Sequence, residues 1–484
     1  MAAVKSKSAA LRARLSHPII DSDGHLLEFL PVLTEYVQKA GGAGAVKDFR
    51  VGFRTAYLNF DWYRQSAQER RELWSRRPPF YMVPARNTLD LASGLFPQLL
   101  HERMDEFGFD YAVLYPTMGL HPPMFAGEEI RRIGCRALND YYADLFGEFG
   151  DRMTPAAIIP MHTPREALEE LDYAVTKRGL KVVMLPNYVK RPIAAAAKYP
   201  EAARYAFRLD TYGIDSEYDY DPVWRRCEEL GVVPTFHSPG EGWGSRTSIS
   251  NFVYNHIGHF AAAGEATAKS LFMGGVTRRF PKLKFLFLEG GVGWGRSLLC
   301  DLVGHWEKRN VREVVKYDPR AVDRARLSEL HQRYGGKLFR AAVVGQEAAQ
   351  FGTNVEDPAM IDEFAACAIE SKQDLRDRFV PSFYFGCEAD DPVTAAAFDA
   401  TRNPFGARLN AVFGSDIGHF DVPDMSAVAA EAYELVEHGL ITEDDFRDFV
   451  FVNPARLWTA VNPDFFKGTA VASAVASLAS QKAA

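Results

Sequence analysis

Asp23 and His25 stand two residues apart in the segment IIDSDGHLLE, at the end of an apolar run. In extended backbone such a pair projects to one face, which is how a single strand offers two ligands to one ion. Three more apolar runs end at an ionisable residue or are followed closely by one. VVPTFH ends at His237, KFLFLE at Glu289, and LNAVFG leads through Ser415 to Asp416. A carboxylate at the end of KFLFLE is costly to desolvate unless a cation accompanies it, either a metal or an arginine. Two imidazoles with three carboxylates make a hard, oxygen-rich divalent-metal site. It suits Mn²⁺ or Fe²⁺ at least as well as Zn²⁺ and has ligands enough for one ion or two.

Asp416 has a second possible role, accepting a proton from metal-bound water. His419, three residues on in GSDIGHFD, is either a proton shuttle or the group that orients Asp416. In YNHIGHF, His256 and His259 are three apart, one helix face, where a second metal or a substrate anion could be met; ordinary helix-surface histidines are the alternative. The glycines of EGGVGW lack the G-x-G-x-x-G spacing of a phosphate loop and are expected to form a tight turn. Trp243 and Trp294 follow the proposed ligand strands and either wall a pocket or pack loops.

Such distant residues meet only if the fold gathers strand ends. Eight short apolar runs, at 17–21, 111–116, 156–161, 181–186, 232–237, 284–289, 382–387 and 409–414, suit strands buried on both faces. Amphipathic stretches of helical period separate most of them, as at 128–149 and 165–178. Eight alternations read as an α/β fold, a (β/α)8 TIM barrel, whose C-terminal strand ends converge on one face where active sites form. Three spacings are long for this architecture, at about 26–110, 187–222 and 290–381, and are expected to be large insertions on the C-terminal face. The first is rich in aromatics from Phe49 to Tyr81, as a cap over the mouth or as a lid with its own small core. Residues 1–17 and 468–484 are expected to be flexible termini.

Composition bounds the rest. The 484 residues are 47% hydrophobic and 25% charged, and 56 Lys and Arg against 63 Asp and Glu leave a net charge of −7. That argues for a folded globular chain and against a nucleic-acid partner. Five scattered cysteines form no CxxC pair, which fits a reducing cytoplasmic location. No uncharged apolar run reaches the roughly 18 residues of a membrane helix, and no apolar signal core follows the N-terminus, so no membrane partner is expected.

The segments IIDSDGHLLE, VPTFHSPGEG, FPKLKFLFLEGGVGW, FGSDIGHFD and FVNPARLW, in that order, resemble the amidohydrolase superfamily. The resemblance is to its amidohydrolase-related (amidohydrolase 2) branch, which includes decarboxylases similar to aminocarboxymuconate semialdehyde decarboxylase. It spans 18–466 and implies one metal-dependent barrel domain. Asp23 and His25 would match the first-strand HxH or ExH pair, His237 the fifth-strand ligand and Asp416 the eighth-strand carboxylate. A small-molecule substrate and a homo-oligomer are also implied. Two departures stand out: Asp23 replaces the commoner His or Glu, and Glu289-Gly290-Gly291 stands where the decarboxylases and many hydrolases carry His.

The leading expectation is therefore hydrolysis of an ester, lactone or amide bond of a bulky carboxylic or aromatic substrate through metal-bound hydroxide. Nonoxidative decarboxylation of an aromatic or unsaturated acid comes second, because the sixth-strand His is missing. A nonheme diiron monooxygenase follows, suggested by the carboxylates with His256 and His259, and then a ligand-binding barrel without turnover.

Overall fold

The computed structural model describes residues 5–55, 58–203, 205–237, 246–337, 356–357 and 360–481. Each apolar run overlaps one strand of an eight-stranded sheet. In chain order the strands are β1 (Ile20–Leu26), β2 (Tyr111–Pro116), β3 (Met153–Ile158), β4 (Val182–Leu185), β7 (Pro234–Phe236), β8 (Phe285–Phe287), β9 (Phe383–Glu388) and β10 (Asn410–Gly414). They neighbour one another in that order, and every ladder is parallel. All of their residues are buried or nearly so, as expected of strands covered on one face by helices and on the other by the barrel interior.

Two backbone hydrogen bonds join the first strand to the segment after the last: the Asp416 N–H donates to the Asp23 carbonyl (2.9 Å) and the His25 N–H to the Ile417 carbonyl (2.8 Å). These bonds leave a nearly closed (β/α)8 barrel.

The helices are built by ordinary means. Glu128–Phe146 begins with two glutamates, which favour the positive end of the helix dipole, and buries Cys135, Leu138 and Tyr142. Its Asn139 amide both accepts from the Ile158 N–H (2.7 Å) and donates to the Ile158 carbonyl (3.0 Å), tying the helix to the C-terminal end of β3. Thr163 caps the helix Pro164–Leu171, accepting from the Glu166 N–H at 3.2 Å.

The excursions follow β1, β4 and β8. The second contains a feature the sequence did not suggest, an antiparallel pair of β5 (Val189–Pro192) and β6 (Phe207–Asp210). The buried Arg191 guanidinium anchors it, donating to Asp210 and to the Tyr220 phenol. In the first, the helix Leu30–Thr55 turns at Gly42 (φ +77°) and packs Phe49 and Phe53 beside Phe125. The stretch from Phe60 to Tyr81 runs alongside residues 246–256: Trp62 donates to the Ile249 carbonyl (3.0 Å) and the Arg77 N–H to the Ser248 carbonyl (3.1 Å). Of the two alternatives for this excursion, its first half joins the main core through Leu33, Val37 and Phe49 instead of forming a small core of its own, and its second half lies over the mouth. Tyr57 and Trp243 lie outside the described residues.

The terminal segments depart from the expectation of fraying. Helix Lys7–Arg12 buries Leu11 and ties Arg12 to Asp110, and helix Ala472–Gln481 follows the buried Val471 and buries Val475. Small apolar residues, weak as a sequence signal, have a complementary surface to dock on here. Among the described residues no helix is long and apolar enough to cross a membrane.

Candidate metal centre

The centre lies at the C-terminal ends of the strands, across the seam that closes the barrel. A register shift in β1 between Asp21 and Gly24 lets Asp21 turn back into the seam. Its carboxylate accepts from the N–H groups of Asp23 (3.1 Å) and Ser415 (3.0 Å) and from the Ser415 hydroxyl (2.6 Å). One buried carboxylate thus fixes the backbone that carries both Asp23 and Asp416. Gly24 is required beside it, because a Cβ there would fall 2.6 Å from Asp21 Oδ2.

The five residues read as ligands converge. His25 and His237 are fully buried, with their Nε2 atoms 3.4 Å apart. Around them, His25 Nε2 lies 3.6 Å from Asp23 Oδ1 and 3.3 Å from Asp416 Oδ1, and His237 Nε2 lies 3.0 Å from Glu289 Oε2. None of these three carboxylate oxygens receives an aligned hydrogen bond, although all are buried. Buried polar atoms that crowd together without hydrogen-bond geometry are what a cation's ligands look like. The nitrogen spacing agrees, since two nitrogens each about 2.1 Å from a tetrahedral ion sit about 3.4 Å apart. Two groups have the spacing of a metal site, Asp23 with His25 and His237, and His25 with Glu289, Asp416 and His419. They share His25.

The electrostatics point the same way. Burial first, and then the neighbouring carboxylates, push Asp23 and Asp416 well above the usual carboxylate range, and burial does the same to Glu289. Asp21 is raised to about 6 by burial, against its hydrogen bonds. Burial lowers the imidazoles, His25 strongly and His419 to about 4, leaving neutral nitrogens with lone pairs to donate. Two of the carboxylates sit on backbone that side chains other than glycine rarely adopt, Glu289 at φ +56° and Asp416 at φ +52°. Strain of that kind concentrates where a side chain must be aimed.

His419 completes the group. Its Nδ1 is 2.6 Å from Asp416 Oδ1, and its ring stacks on His25 with centroids 3.7 Å apart. The reading of His256 and His259 as one helix face is corrected. Gly258 (φ +70°) breaks the chain between the helices Phe252–His256 and His259–Met273. His259 turns inward, its Nδ1 on the His256 carbonyl (2.6 Å) and its ring against Phe260 (3.8 Å). His256 lines the cavity with Glu289 and His419. Trp294 packs between Phe287 and Phe385, behind the site. The glycines expected to form a tight turn bend the chain without a turn hydrogen bond of their own: Gly291 sits at φ +64° and donates its N–H across to the Gly386 carbonyl of β9 at 3.0 Å.

Sequence reasoning missed Glu388 and Asp421. Glu388 ends β9 one residue beyond the apolar run read there, just as Glu289 ends the run before it. Burial, together with Glu289 and Asp421, raises its pKa. Above the centre, Leu58, Met82, Leu120, Phe252, Phe260 and Phe420 wall a narrow cavity. Tyr81 packs on Phe420 (4.7 Å) and Phe252 (5.8 Å) at its mouth.

A family model described as amidohydrolase matches residues 20–459. The chain belongs to the amidohydrolase family. Solved structures share this fold at low identity. One is an amidohydrolase from Mycobacterium avium subsp. paratuberculosis K-10, 19% identical, covering 92% of this chain and 98% of that one with a TM-score of 0.53. Another is a dihydroxybenzoic acid decarboxylase from Polaromonas sp. JS666 with bound manganese and the inhibitor 2-nitroresorcinol. It is 15% identical and covers 93% of this chain and 99% of its own, with a TM-score of 0.50. No curated protein matches the chain.

Proposed function

We propose that this amidohydrolase-family protein is a divalent-metal-dependent decarboxylase of an aromatic acid. The observation that carries this reading is that Glu289 and His419 line a narrow cavity walled by Leu58, Met82, Phe252, Phe260 and Phe420, and that both pack on the buried His25, His237 and Asp416, with Asp23 beside them. The cavity holds about 50 Å³, so its walls would have to part to admit a flat, largely apolar molecule whose one anionic group would meet the bound metal. The manganese-bound Polaromonas decarboxylase of like fold adds to this, so decarboxylation moves ahead of hydrolysis, which the sequence alone put first.

Asp23, His25, His237 and Asp416 would hold the metal, with Glu289 beside it. Bound there, a divalent cation supplies charge that fixes a substrate carboxylate and its neighbouring oxygen. The carbon–carbon bond to the carboxylate breaks, carbon dioxide leaves, and the electron pair remains on the ring carbon. Asp416 would pass that carbon a proton reaching it through His419, whose Nδ1 lies 2.6 Å from Asp416 Oδ1. Phe260 and Phe420 keep water from the ring.

Hydrolysis of an ester, lactone or amide bond is kept as a second reading for a specific reason. Glu289, Glu388 and Asp421 crowd the same site and would repel a substrate carboxylate while favouring an activated water. Incubating the manganese-loaded protein with hydroxybenzoic acids, and separately with aryl esters and lactones, decides between them. Release of carbon dioxide matched by the decarboxylated arene is expected. Turnover of esters or lactones alone would replace the first reading by the second. Two equivalents of iron with reductant-dependent O₂ uptake would replace both by an oxygenase.

A further inference from the structure

At the opposite end of the barrel, below the N-terminal ends of β8, β9 and β10, lies a cleft of about 940 Å³. One wall is the C-terminal helix Ala472–Gln481, through Val475 and Leu478; Tyr384 and Phe466 form the floor. The rim is cationic. Lys284, Arg456 and Lys467 line it against a single acid, Asp464, in a chain whose net charge is −7. Lys467 and Asp464 are 3.9 Å apart and largely exposed, a weak pair. Arg456 is exposed, and no ion pair or hydrogen bond engages it among the described residues. Lys284 is half-buried, makes one long bond to the Pro281 carbonyl at 3.3 Å, and has the Glu228 carboxylate near enough to act on its charge, so Arg456 is the freer of the two cations. The cleft therefore joins an apolar trough, large enough for a chain of about ten carbons, to guanidinium and ammonium groups free to take an anion.

We propose that this cleft binds an amphipathic organic anion, a carboxylate on a fatty-acid-like apolar body, with the carboxylate on Arg456 and Lys284 and the tail along Val475, Leu478 and Phe466. The site is separate from the metal centre and does not rest on the reaction proposed there.

Calorimetric titration of the full chain with decanoate, and with decan-1-ol as the neutral match, tests it. Decanoate should bind at one equivalent and decan-1-ol markedly more weakly. Arg456→Glu should weaken decanoate binding about tenfold or more, equivalent to 1.4 kcal/mol or more, and leave metal content unchanged. Lys284→Ala, a mild surface change, should weaken it in the same direction, which guards against misfolding of the first variant. Ala476→Trp should fill the trough and block binding. Equal affinity for decan-1-ol, or unchanged affinity in both charge variants, would overturn the proposal. So would light scattering that finds the face closed by a second copy that decanoate does not displace.

Discussion

The Nε2 atoms of His25 and His237 face each other across 3.4 Å, one from the first barrel strand and one from just past the fifth. Neither ring gains from that approach alone, because two neutral nitrogens so oriented repel unless one carries a proton or both share a cation. His25→Ala or His237→Ala should therefore purify with little bound metal. Each should also lose the thermal stabilisation that added Mn²⁺ gives the wild type, about 2.7 kcal/mol at a hundredfold excess over Kd. Elemental analysis and melting with and without Mn²⁺ check both statements, and a full metal complement in either variant would remove that histidine from the ligand set.

Asp416 and His419 form the proton-handling pair. Asp416→Asn should lower turnover by about 10²–10⁴-fold with the circular dichroism spectrum intact. His419→Gln should cost about 10–100-fold, as for a group that orients or relays through another. Unchanged turnover in Asp416→Asn would place the proton donor elsewhere.

The metal-free protein should depend on pH in a particular sense. Asp23, Glu289, Glu388 and Asp416 have folded pKa values raised above their ordinary ones, so their contribution is present at low pH and is lost as pH rises through the folded values. His25, His259 and His419 are lowered, so their contribution is lost as pH falls below about 6.5. Above that pH Lys181 and Lys190, which burial lowers to about 8, act in the opposite sense to the carboxylates, and they do so with or without metal. The carboxylate effect is therefore read as a difference: the metal-free melting temperature should fall relative to that of the Mn²⁺-saturated protein from pH 7 to pH 9, because the cation stabilises the ionised carboxylates. Melts with chelator and with Mn²⁺ at both pH values read it, and a gap that does not widen toward pH 9 would contradict the assignment.

Glu289→Gln separates stability from metal binding. Removing a buried carboxyl from among Asp23, Glu388 and Asp416 should raise the metal-free melting temperature at pH 8 and at the same time weaken Mn²⁺ affinity. Paired melts and a metal titration show whether the two effects have opposite signs. A parallel loss in both would mean that Glu289 serves the fold instead of the ion.

Much of this arrangement was legible in the chain because buried parallel strands are short, apolar and end abruptly. Each of the eight runs therefore overlaps a strand, and the polar residues in or just past four of those strands meet. Glu388 escaped because the run before it was read to end at Cys387, and periodicity does not say which residue past a strand end turns inward. Glu289 and Asp416 are aimed by left-handed backbone, a local choice that hydrophobic pattern does not carry. The break at Gly258, which puts His256 and His259 on separate helices while leaving their rings 4.8 Å apart, was invisible for the same reason: the spacing of the histidines fits a helix, and a single glycine overrides it. The role of Asp21, clamping Ser415 across the seam, depends on a register shift that only three-dimensional pairing reveals.

That seam has a consequence for how the protein comes into being. Asp23 leaves the ribosome 393 residues before Asp416, yet they flank the same joint, bonded backbone to backbone at 2.9 Å. If these residues hold a metal as proposed, its full coordination would not assemble until the last barrel strand and Asp416 had been delivered. A polypeptide stopped short of Ser415 would carry both histidines and still lack the lock that holds them in place.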